Sequence, residues 1–136
     1  MKKNFLFVSF LFVMISLVNA QTRLEENITC KQALELIQEH VQDTNFVILD
    51  VRTVDEFKSG HIKKAILIDY KSENFQDKIS KLDKSKVYLV YCQAGVRSLG
   101  AIEMMKDQNF KYLYHLYEGY KIWNRNGYKT VTGHKT

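Results

Sequence analysis

The sequence predicts an α/β domain, with a mostly parallel central sheet and helices on both of its faces. Short continuous apolar runs rich in β-branched and aromatic residues, Phe46 to Val51 and Val87 to Tyr91 above all, have the composition of strands buried on both sides. Between them lie segments whose apolar residues recur at helical spacing, and strands that alternate with helices build parallel sheets. In such sheets ligands bind outside the carboxyl ends of the strands, so residues that close a strand are the first candidates for chemistry.

Met1 to Ala20 reads as a signal peptide. Lys2 and Lys3 form a positive n-region, Phe5 to Val18 an apolar h-region, and Val18-Asn19-Ala20 a cleavage site that ends in a small residue. The apolar run falls short of the roughly 20 residues that span a bilayer. Cleavage before Gln21 is expected, with export to the periplasm or the medium and no stable membrane anchor afterwards. No cysteine follows the cleavage site directly, which argues against a lipid anchor. The remainder, Gln21 to Thr136, is the size of one small domain.

Within that domain, Thr29 with Gln32 is a capping box, and Ala33, Leu34, Leu36, Ile37 and Val41 follow at helical intervals. Strands are expected at Phe46 to Val51 and Ala65 to Ile68. A short helix is expected from Val54 to Ser59. Ser72 is expected to cap a helix carrying Phe75, Ile79 and Leu82. The strand Val87 to Tyr91 then leads to a helix from Leu99 to Asn109, a last strand is placed at Tyr112 to Leu116, and Gly119 turns into a short helix with Ile122 and Trp123.

The chain carries 20 basic and 15 acidic residues, a net charge of +5, which falls to +3 without Lys2 and Lys3. Its lysines are scattered among acids rather than gathered in a stripe, so nucleic acid is not an expected partner. A mild positive surplus favours the approach of small anions. We expect a monomer.

Cys92 closes the strand Val87 to Tyr91 and is followed by Gln93, Ala94, Gly95, Val96, Arg97 and Ser98. At a strand-to-helix turn the first N–H groups of the helix lack intrahelical partners, and the macrodipole adds partial positive charge. An anion is welcome there, and a thiolate is an anion. Arg97 supplies a permanent charge, while Gly95 allows the positive φ that folds backbone amides into a nest. Cys92 is therefore the candidate nucleophile, and Gln93 to Ser98 the candidate substrate-binding loop. The competing reading is a cysteine that is merely a small buried hydrophobe; the glycine and arginine in set order behind it favour chemistry.

A second cluster, Asp50-Val51-Arg52 with Asp55, Glu56, Phe57 and Gly60-His61-Ile62, is placed at the same sheet edge. Asp50 and Arg52 are candidate supporting residues. Asp50, Arg52 and Glu56 are expected to pair with each other or to cap the helix Val54 to Ser59, and His61 to be a hydrogen-bonded turn residue. His40, His115 and His134 show no partner pattern, so no chemistry is assigned to them. With neither Cys-x-x-Cys nor His-x-x-x-His spacing, no metal is expected, and no cofactor. Cys30 and Cys92 are too few for a disulfide scaffold. Whether they pair is left open, although Cys30 opens a helix and Cys92 closes a strand.

These motifs resemble the rhodanese family, sulfurtransferases built on a single α/β domain. The resemblance is carried by Asp50-Val51-Arg52 with Glu56-Phe57 and Gly60-His61-Ile62, by Cys92-Gln93-Ala94-Gly95-Val96-Arg97-Ser98, and by Gly119, Trp123 and Gly127. Two departures stand out: Lys64 lies where a glycine usually precedes Ala65, and Glu118 replaces the first of a usual glycine pair. The resemblance implies a single rhodanese-like domain in which Cys92 takes a sulfane sulfur as a persulfide and passes it to a thiol or cyanide. The implied donor is a small anion such as thiosulfate, with mercaptopyruvate as the competing donor. Two alternatives stay open. One is a sulfur-binding, carrier or interaction module without turnover. The other is a cysteine phosphatase, whose similar loop has one more residue between cysteine and arginine than the four found here.

Overall fold

The computed structural model describes residues 24–133. The expected signal peptide and His134 lie outside the described residues. In chain order the elements are β1 (Leu24–Ile28), α1 (Cys30–Glu39), β2 (Phe46–Asp50), α2 (Val54–Ser59), β3 (His61–Ile62), β4 (Ile66–Leu67), α3 (Phe75–Ser80), β5 (Val87–Tyr91), α4 (Val96–Asp107), β6 (Tyr112–Leu116), α5 (Gly119–Arg125) and β7 (Thr130–Val131). Five strands form one sheet in the order β1-β6-β5-β2-β4, with parallel neighbours throughout. A small antiparallel pair, β3 with β7, stands apart from it.

The period-two geometry of strands sorts the core into two layers. Leu49, Tyr88, Val90 and Leu113 face α3 and α4, meeting Phe75, Ile79, Ala101, Ile102 and Met105. Ile48, Leu89, Tyr91 and Leu116 face the other way, toward Cys30 and Ala33 of α1, Phe57 of α2 and Trp123 of α5. Leu89, fully buried in the central strand, illustrates the energetics: truncation to Ala would cost about 2–5 kcal/mol. The same alternation places Cys92 on the α4 side.

Several elements match the sequence reading. β2, α2 and β5 stand where expected, and Thr29 and Gln32 form the capping box in full. Others are corrected. α4 runs from Val96 to Asp107 rather than from Leu99 to Asn109, because Gly95 at φ 91° turns the chain straight from strand into helix. Ser72 does not cap α3; its hydroxyl donates to the Asp69 carbonyl at 2.7 Å, and Asn74 holds the cap position without a side-chain bond. Tyr112–Leu116 is not the last strand, since β7 follows and pairs with β3. β1 was not expected at all: four of its five residues are exposed, so it shows no inward apolar pattern.

Candidate active site

Cys92 stands at the carboxyl end of the central strand, 1% exposed, with its sulfur turned under the head of α4. The Gly95 N–H donates to Sγ at 3.1 Å, and the Ser98 hydroxyl approaches it at 3.3 Å. Burial alone would push this thiol up. Hydrogen bonds from the Ser98 side chain and from the backbone of Ser98, Ala94 and Gly95 outweigh it and hold the thiol below its usual range. Of the expected ring of loop amides, the Gly95 N–H is seen on the sulfur, joined by the Ser98 hydroxyl.

The loop is also held from outside. Tyr120 and Lys121, at the start of α5, donate their N–H groups to the carbonyls of Cys92 and Gln93 at 2.8 and 3.0 Å. With those carbonyls turned toward α5, the amides that follow are left to face the sulfur. Two glycines make the approach feasible. At Gly95 a Cβ would collide with the Tyr117 carbonyl oxygen, and at Gly119 (φ 70°) it would lie 2.5 Å from the Gln93 carbonyl oxygen.

Arg97 does not lie open beside the sulfur. Its guanidinium grips Glu56 of α2 through two bonds of 2.8 and 2.9 Å. That grip, foremost among the causes, lowers the Glu56 carboxyl to about 2. Glu56 also accepts from the Thr53 N–H and hydroxyl, completing the α2 capping box. The expectation that Glu56 pairs with Asp50 or Arg52 is therefore corrected in part: it caps α2, as expected, but its ion-pair partner comes from the cysteine loop.

Asp50 and Arg52 do pair with each other, buried, through contacts of 3.0 Å (Nε to Oδ1) and 2.7 Å (Nη2 to Oδ2). Arg52 Nη2 also donates to the Gly60 carbonyl at 2.7 Å, Nη1 reaches Gln93 Oε1 at 3.4 Å, and the guanidinium lies 4.0 Å from the centre of the Tyr120 ring. The pair ties together the end of β2, the turn after α2 and the cysteine loop. Beside it opens a polar cleft of about 480 Å³ lined by Arg52, Glu56, Ser59, Gln93, Tyr120, Asn124 and Thr130. Ala94 and Val96 complete the loop, and Val96 is 80% exposed. His61 is held as expected, its Nδ1 against the Phe57 carbonyl at 2.8 Å.

His115 was missed by the sequence reading. It is buried on the α4 side of β6, with Nε2 2.8 Å from Ser98 Oγ and Nδ1 2.9 Å from Asn27 Oδ1. A polar residue inside an otherwise apolar strand was the available signal. Its partners come from α4 and β1, and only the sheet register brings them to it.

Cys30, the first residue of α1, is fully buried and unpaired, as is Cys92. Its N–H donates to Glu118 Oε2 at 2.7 Å and its thiol contacts the Gly119 carbonyl at 3.7 Å. Burial first, then the Glu118 carboxylate, push this thiol up to about 12. Both departures noted in the sequence have a structural account. Glu118 serves as the anion at the head of α1, and Lys64 occupies a positive φ of 68°, the conformation that glycine adopts most readily.

A parallel sheet whose central strand ends in a buried cysteine, its thiol lowered by hydrogen bonds from the head of the next helix, defines an α/β domain organised around that turn. The pattern of the rhodanese-like domain family matches residues 33–126, and the chain belongs to that family. It is 34% identical over 85 residues to the thiosulfate sulfurtransferase GlpE of Coxiella burnetii, covering 62% of this chain and 78% of that protein. It is also 34% identical to the tRNA uridine(34) hydroxylase of Buchnera aphidicola, over 58% of this chain and 27% of that protein. Among solved structures, a rhodanese-related protein from Thermoplasma volcanium superposes with a TM-score of 0.64 at 25% identity, covering 79% of this chain and 99% of that one.

Proposed function

We propose that the protein is a sulfurtransferase that moves a sulfane sulfur from a small anionic donor to a thiophilic acceptor through a persulfide on Cys92. The observation that carries this reading is the cupping of Cys92 Sγ by the Gly95 N–H and the Ser98 hydroxyl, donors already in place where negative charge must rest. With thiosulfate as donor, the Cys92 thiolate attacks the outer sulfur, the S–S bond of thiosulfate breaks, and sulfite leaves with the bonding pair. Cyanide or a thiolate then attacks the outer sulfur of the persulfide and restores the Cys92 thiolate. Each half-step is easier than direct transfer. Similarity to a thiosulfate sulfurtransferase supports thiosulfate as the donor. The engagement of Arg97 by Glu56 leaves the loop amides and the head of α4 as the main anion-holding elements.

A carrier without turnover would use the same sulfur, and the 1% exposure of Cys92 favours holding over exchange. One experiment separates the readings. Incubation with thiosulfate should add one sulfur to the intact mass, and cyanide should remove it and allow the cycle to repeat. Gain without release identifies a carrier; no gain with both thiols free defeats the sulfurtransferase reading. Steady Cys92-dependent hydrolysis of an aryl phosphate would favour a phosphatase instead. Export after cleavage before Gln21 is part of the proposal, and the N-terminal residue of the protein recovered outside the cytoplasm tests it.

A further inference from the structure

Behind the Cys92 sulfur a line of polar groups runs toward the sheet edge: Ser98 Oγ lies 3.3 Å from Sγ, His115 Nε2 2.8 Å from that oxygen, and Oδ1 of the exposed Asn27 2.9 Å from Nδ1; sulfur transfer as described above uses the Ser98 hydroxyl as a donor and gives His115 and Asn27 no part. Ser98 is fully buried and His115 is 4% exposed. The Ser98 hydroxyl has one proton and three neighbours able to accept it, the sulfur, the imidazole and the Gly95 carbonyl at 3.1 Å. Asn27 Oδ1 accepts only, which sets a proton on Nδ1. With neutral His115, Nε2 takes the Ser98 proton, and Oγ turns its lone pairs to the sulfur, an arrangement that suits a thiol. With charged His115, Nε2–H faces Ser98 Oγ and the Gly95 carbonyl at 3.2 Å. With the Gly95 carbonyl engaged by the imidazolium, the hydroxyl proton turns to the sulfur, whose negative charge makes it the stronger acceptor, which suits a thiolate or a persulfide anion.

We propose that Ser98 and His115 form a proton relay that stores the Cys92 proton, with His115 as a positioning residue acting through Ser98. The thiol proton passes to Ser98 Oγ as the hydroxyl proton passes to His115 Nε2, so one proton moves from Sγ to the imidazole and no other reactant is needed. The groups set against the imidazole are few. Glu25 on β1, which is paired with Lys106 of α4 at 2.8 Å, favours its charged form. Burial, the larger influence, opposes that form. Cys92, at the end of β5, is linked to the imidazole through Ser98.

The relay rests on Cys92 being the reacting sulfur, but it is tested by alkylation, which requires no sulfur transfer. In His115→Gln, which cannot take up a proton, alkylation of Cys92 by iodoacetamide should slow about tenfold at pH 7, its midpoint rising by about one unit. At high pH, where all the sulfur is thiolate, the rate should return to within about twofold of the wild type, which damaged packing would not allow. Ser98→Ala should give a similar shift, and the double variant no more than either alone. An unmoved midpoint, or shifts that add, overturns the relay. A second measurement needs no variant. The NMR titration of the His115 ring should move to lower pH once Cys92 is alkylated, and a titration that stays put or moves up overturns the relay equally.

Discussion

Cys30 and Cys92 are both buried, both unpaired, and both sit where a helix begins, yet the structure sets their thiols on opposite sides of the ordinary value. The position at a helix head is not what separates them. At Cys92 the amides of the turn converge on the sulfur and no carboxylate competes. At Cys30 the helix-head N–H is already consumed by Glu118, whose negative charge then opposes a second anion beside it. A helix terminus activates a cysteine only when its donors are aimed at sulfur and left unspent.

The largest test of this contrast is deletion. Cys92→Ser should abolish sulfur uptake and turnover, while Cys30→Ser should leave turnover within about twofold of the wild type. Loss of activity in the Cys30 variant with its fold intact would break the distinction. Mass mapping of alkylation comes next. At pH 8 a thiol held near 12 has only about one molecule in ten thousand ionised. Iodoacetamide should therefore label Cys92 at least a hundredfold faster than Cys30, and Glu118→Gln should narrow that gap by about tenfold.

The two thiols should also bend the stability profile in opposite directions. Cys30 keeps its proton in the fold while the unfolded chain loses it from pH 9 upward. Its contribution is present below pH 9 and declines toward 12. Cys92, lowered in the fold, contributes above the unfolded value, and that contribution is lost as pH falls through the folded value. Urea unfolding of wild type, Cys30→Ala and Cys92→Ala between pH 7 and 11 should show the alkaline decline flattened in the first variant and steepened in the second. The smallest expected effect concerns the loop charge. Glu56→Gln keeps the α2 cap but frees Arg97, and thiosulfate KM should fall roughly threefold with kcat little changed. An unchanged KM would mean that Arg97 serves the loop alone.

What could be read in advance followed from local chemistry. β2 and β5 are apolar runs, Thr29 with Gln32 is a capping box within one turn, Glu56 was placed at the head of α2, and Cys92 to Ser98 is one continuous motif. What escaped is what chain-distant partners decide. β1 carries only Ile28 inward and is a strand because β6 offers it an edge. β3 and β7 are two residues each, too short for any period to register. The Arg97–Glu56 pair and the Asn27–His115–Ser98 line join residues brought together only by the fold. Those crossings decide how charge is arranged around the sulfur.

The pairing of β1 with β6 has a consequence for how the protein comes into being. Asn27 and His115 lie 88 residues apart, so the opening strand of the domain waits, edge unpaired, until nearly the whole chain has been made. Contacts of such span slow folding. During that interval His115 lacks its Asn27 partner, and the groups behind the Cys92 sulfur are not yet in line. The surroundings of the Cys92 sulfur are therefore completed late in folding, by the pairing of the first strand of the sheet with one of the last.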